Sequence, residues 1–130
     1  MKGTRKKNVE VVRRMLADYL RGEYEAALPA FAEDVEVITA LERFHGRAGV
    51  VEEAKRWEEM WSDFRFDVED LVDAGSKVVL LYHQVGKAKG SEIALDEEAG
   101  WVYTLRGGKI TRVEMFQDRE TALRAADVQT

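Results

Sequence analysis

No cysteine occurs among the 130 residues, which removes disulfides, thiolate nucleophiles and the common zinc clusters together. Histidine is nearly as scarce. His45 and His83 are the only two, too few for a multi-histidine metal site. Basic residues number 20 against 25 acidic ones, for a formal net charge of -5. A phosphate backbone requires a clustered positive surface, for which only the short basic start at residues 2–7 is a candidate, and no nucleic acid partner is expected. No apolar run is long enough to span a bilayer, and no signal-peptide core follows the basic start. A membrane partner is thus not expected, and the expected location is cytoplasmic. No glycine-rich phosphate loop is present, so no cofactor is implied.

The composition that remains, 45% hydrophobic and 35% charged, is that of an ordinary globular domain with enough chain for one core. Residues 8–126 are expected to form that domain. Residues 1–7 read as a disordered basic tail and 127–130 as a short C-terminal tail.

Over 8–21 apolar residues fall at Val9, Val12, Leu16, Tyr19 and Leu20, the one-sided spacing of an amphipathic helix that Gly22 ends. A second helical stretch, 24–32, carries Pro29, which predicts two short turns or a kink. Residues 34–39 alternate as a strand, and 40–49 are irregular. A third helix runs to about residue 62 with Val50, Ala54, Trp57, Trp61 and Phe64 as its buried stripe. Strands follow at 65–72, 77–89 and from Trp101, with 90–98 a loop or an edge strand.

The stretch 100–126 organises the rest: a strand, a glycine turn at Gly107-Gly108, a second strand, and a short helix capped by Asp118. The turn can close in two ways. A two-residue primed turn puts Glu114 beside Trp101, whereas a type I turn with a glycine bulge puts Val113 there. Glu114 is accordingly either a pocket carboxylate or a solvated one. Grouped helices followed by consecutive strands imply an α+β fold. Three helices from the N-terminal half lie on a strongly curved antiparallel or mixed sheet, which forms a cone with an internal cavity, and a short C-terminal helix completes it.

The run LRGEYEAAL at 20–28 with FAEDV at 31–35, and YTLRGGKI at 103–110 with DRETAL at 118–123, resemble SnoaL-like domains of the nuclear transport factor 2 superfamily. The superfamily includes isomerases, polyketide cyclases, dehydratases, epoxide hydrolases and non-catalytic binding modules, so the resemblance implies a fold more than an activity. Steroid isomerases of this fold use a tyrosine, a carboxylate base and a protonated aspartate. Met15, Thr39 and approximately Trp101 stand at the matching positions, and none can do that chemistry. The resemblance also implies a homodimer joined through the convex sheet face.

It further places Val79, Leu81, His83 and Val85 on the concave face. His83 is then the candidate for proton transfer, with Glu114 as its partner or as a base. The alternative is a core histidine bonded to Tyr19, Tyr103 or a backbone carbonyl. Trp57, Trp61, Trp101 and Tyr19 form either an aromatic wall for a flat ligand or plain core. The expected pocket comprises Met15, Tyr19, Thr39, Ala54, Trp57, Trp61, Leu81, Trp101, Tyr103 and Val113. Two functions fit: a small-molecule-binding protein acting as a cofactor-free isomerase, cyclase or lyase on a small apolar or aromatic molecule, or a non-catalytic dimeric binding or scaffold domain.

Overall fold

A computed structural model describes residues 2–128. The first helix, α1 (Lys2–Tyr19), takes in the basic start and begins six residues before the amphipathic pattern does. Its packed face is Val12, Met15 and Leu16. Asn8 ties it to the far side of the molecule by donating to the Gly75 carbonyl at 2.9 Å. The chain then turns at Gly22, whose φ of +79° is a left-handed conformation that glycine adopts without penalty. Pro29 divides the next stretch as expected, into one α turn, α2 (Tyr24–Ala27), and a 3-10 turn (Leu28–Ala30).

Strand β1 (Phe31–Ile38) folds back through a tight turn onto β2 (Arg43–His45), a short strand inside the segment expected to be irregular. Helix α3 (Gly46–Met60) follows at once, and Arg47 anchors its start with two hydrogen bonds to the Phe31 carbonyl, at 3.1 and 2.9 Å. Trp61 and Phe64, expected to extend the helical stripe, instead begin the long strand β3 (Trp61–Ala74). Strands β4 (Lys77–Ala88), β5 (Ala94–Arg106) and β6 (Lys109–Phe116) complete the sheet, and α4 (Arg119–Ala125) closes the chain. Residues 94–98, expected as a loop or edge strand, belong to β5 and pair with β4 alone, because pairing to β6 begins only at Gly100, so they form an edge of the sheet.

The sheet order is β2-β1-β6-β5-β4-β3, with β1 and β6 parallel and every other neighbouring pair antiparallel. The fold is therefore α+β with a mixed sheet, and the β5–β6 hairpin lies at its centre. The hairpin closes with the two-residue turn: Gly107 and Gly108 have φ of +58° and +78°, and Arg106 pairs with Lys109. Between Thr104 and Leu105 the register slips, because Thr111 is an extra residue on β6. Neither expected register results. Met115 stands opposite Trp101, and Glu114 opposite Val102.

Two apolar clusters lie on the two faces. The larger joins α1 and α3 to Val78, Leu80, Tyr82, Ala99, Tyr103 and Val113 on the inner face. The smaller joins α4 to Val79 and Val102 on the outer face. Gly100 permits this second contact, since a Cβ there would lie 2.7 Å from the Cβ of Ala122. Asp118 caps α4 by accepting from the Thr121 amide at 2.8 Å, and this bond holds its carboxyl below the ordinary range.

Candidate functional site

The inner face does not close completely. A cavity of about 310 Å³ opens between the end of α1, the β1–β2 turn, α3 and the sheet. Tyr19 projects into it from the last turn of α1, Glu53, Ala54 and Trp57 from α3, Tyr82 and Gln84 from β4, Glu97 and Trp101 from β5, and Met115 from β6. A second hollow of about 10 Å³ adjoins it, floored by Met15, Tyr103 and Val113, and is at the lower limit for one water molecule. Leu20, Leu41, Met60 and Phe64 line the mouth and are unusually exposed for large apolar residues, Leu41 reaching 92%.

Helical spacing places Glu53 among hydrophobic neighbours, three residues after Val50 and four before Trp57. Only 9% of it is exposed. The Tyr19 hydroxyl donates to its Oε1 at 3.2 Å. Burial raises the carboxyl from an ordinary 4.5 to about 7, and the tyrosine bond opposes this only in part. Burial, with Glu53 nearby, also raises the Tyr19 phenol well above its usual value. Tyr19 therefore stays a neutral donor while Glu53 is poised near neutrality, able to take up or release a proton.

A second polar group lies across the strands. Trp101 Nε1 donates to the Tyr82 hydroxyl at 3.1 Å, and Tyr82 donates to Glu97 Oε1 at 3.2 Å. Gln84 donates to the same oxygen at 2.8 Å. The rings of Phe66 and Tyr82 stack at 4.5 Å, and Trp101 lies 5.3 Å from each. Two polar poles thus stand in a largely aromatic wall.

The wall includes much of the expected pocket: Tyr19, Thr39, Ala54, Trp57 and Trp101 border the cavity, while Met15, Tyr103 and Val113 floor the smaller hollow. Four expectations are corrected. His83 follows Val79 and Leu81 onto the outer face, where its Nε2 is 2.6 Å from Asp96 Oδ1 and where Glu98 and Asp67 are its strand neighbours. It does not reach the cavity. Leu81 packs toward α4 beside Gly100. Glu114 also faces outward, 3.6 Å from Arg112, because of the bulge at Thr111. Trp61 packs against Trp57 with ring centroids 5.6 Å apart and planes tilted by 41°, and does not border the cavity.

At the mouth, Glu42 binds Arg56, whereas His45 is exposed near Glu36. Among the described residues, no group of three or more histidine, aspartate or glutamate side chains is arranged to hold a metal ion.

Sequence reasoning missed Glu53, Tyr82, Gln84 and Glu97. The helical period that placed Val50 and Trp57 on the buried stripe places Glu53 there too. Alternation from Trp101 back through Ala99 reaches Glu97 once 94–98 is read as strand.

A family model described as a SnoaL-like domain matches residues 12–113. No curated protein matches the chain significantly. Solved structures do. An NTF2-like protein from Burkholderia thailandensis is 20% identical, with 94% of this chain and 98% of that one aligned and a TM-score of 0.78. Another from Burkholderia xenovorans is 23% identical over 93% and 95%, with a TM-score of 0.75. TerC, co-crystallised with polyporic acid, is 20% identical over 92% and 97%, with a TM-score of 0.73. At these identities the likeness is one of fold.

Proposed function

The chain belongs to the SnoaL-like domain family, and we propose that its cavity binds a small, mainly apolar or aromatic molecule on which Glu53 acts as general acid and base. The reaction class that fits is a cofactor-independent isomerisation, cyclisation or elimination, in which a proton leaves carbon and is returned to another atom. One observation carries this reading: a carboxyl group buried in an aromatic cavity, held among the described residues by a single tyrosine hydroxyl and paired with no cation. Such a group is a stronger base than a solvated carboxylate, and its neutral form is available near neutral pH. The Tyr19 hydroxyl orients it, and the aromatic wall keeps its surroundings largely apolar. The small molecule bound to TerC supports ligand binding within this fold. The proposal retains a homodimer, for which the exposed outer face of β3–β5 is the candidate surface, and light scattering measures that state.

Deuterium exchange tests the proton chemistry without knowledge of the natural substrate. In heavy water, a cyclic aryl ketone with an acidic α C–H should exchange faster with the protein than with buffer. Glu53→Gln should remove that acceleration by about 100-fold or more. Equal exchange by parent and variant would remove Glu53 from the chemistry.

A further inference from the structure

The charged side chains of the cavity are unequally signed. Glu53 and Glu97 stand on its wall with the more exposed Glu42 and Glu58, and Arg56 is the one basic residue among the described lining. Arg56 is already engaged, bound by Glu42 and 3.8 Å from Glu52. A ligand carboxylate or phosphate would therefore meet several negative groups and no uncommitted cation in the lining.

The two less exposed carboxylates are also short of donors. Among the described residues Tyr19 alone donates to Glu53, and both donors to Glu97 converge on the same oxygen, Oε1. The rings of Phe66, Tyr82 and Trp101, whose centroids lie within 5.3 Å of one another, line the same cavity, and Tyr82 is bonded to Glu97. The faces of such rings are electron-rich and attract cations, most strongly where water is excluded. A neutral hydroxyl would satisfy one acceptor, whereas a cation would offset both carboxylates and use the rings as well.

We propose that the ligand of this cavity carries a positively charged ammonium group on a small apolar body, its charge balanced by Glu53 and Glu97 and its alkyl substituents set against Phe66, Tyr82 and Trp101. This rests on the reading of the cavity as a ligand site and narrows the ligand class. A protonated amine would add hydrogen bonds to the carboxylates, and a quaternary ammonium would rely on the rings. The positive charge is common to both.

Calorimetry at pH 8 with three probes of similar size tests it: benzyltrimethylammonium, the neutral 2-methyl-1-phenylpropan-2-ol, and the anion 3-phenylpropanoate. The cation should bind about tenfold tighter than the alcohol, and the anion weakest. Glu97→Gln and Glu53→Gln should each reduce the cation-to-alcohol ratio by about threefold or more. Circular dichroism establishes that each variant folds, and either one suffices. Alcohol or anion binding as tight as that of the cation overturns the ammonium proposal while leaving the cavity a ligand site. A cation preference unchanged in the folded variants also overturns it. Failure of all three probes to bind overturns both readings.

Discussion

The two sides of the central sheet meet similar residue types and put them to different use. On the inner face Glu53 is buried against Tyr19 and its carboxyl is raised to about 7. On the outer face Glu114 lies beside Arg112, and His83 beside Asp96, with solvent reaching both pairs. A carboxylate that keeps water or a cation loses little on ionising, whereas one that keeps neither resists it. Burial without a counter-charge therefore separates a candidate acid-base group from a surface ion pair. For a carboxylate on a strand, such as Glu97 or Glu114, a difference of one residue in parity decides which face it joins.

The strongest way to break the comparison is to remove the wall of the inner face. Tyr82 is almost fully buried, stacks on Phe66 and joins Trp101 to Glu97. Tyr82→Ala should cost about 3–5 kcal/mol in denaturant unfolding, and a loss below 1 kcal/mol would mean that the wall is not packed as described.

Glu53→Gln sharpens the comparison through pH. A carboxyl raised from 4.5 to about 7 gives a folded state that binds more protons than the unfolded chain within that interval. Stability from this group is complete below about 4.5 and is lost as pH rises through 7. Between pH 5 and 8 the parent should lose on the order of 3 kcal/mol relative to Glu53→Gln. Parallel curves for the two proteins would contradict the burial of an ionisable group at this position.

The outer face is tested next by Gly100→Ala. The added methyl would meet Ala122 at 2.7 Å, and α4 must shift, at about 1–3 kcal/mol. His83→Ala should have the smallest effect, below about 1 kcal/mol, and should leave binding of the ammonium probe unchanged. A tenfold loss of probe binding in that variant would return His83 to the site.

Much of the architecture was legible in the chain because the signals were local. Gly107-Gly108 required a turn with positive φ, Asp118 was placed to cap α4, and Pro29 divided its helical stretch. What was not legible depended on distant partners. The slip at Thr111 is settled by packing across β5 and β6, and no nearby residue announces it. The sequence Val78-Val79-Leu80-Leu81-Tyr82 is apolar at every position, because helices cover both faces there, so alternation could not say whether Tyr82 or His83 looked inward. The helical period puts Glu53 on the buried stripe, but its one bonding partner, Tyr19, lies 34 residues earlier and no local signal names it.

The most direct measurement is the titration of the Glu53 carboxyl carbon by NMR in the folded protein, assigned by its disappearance in Glu53→Gln. The midpoint should lie at about 7 and fall when the benzyltrimethylammonium probe binds. A midpoint at the ordinary 4.5, unmoved by the probe, would contradict the account.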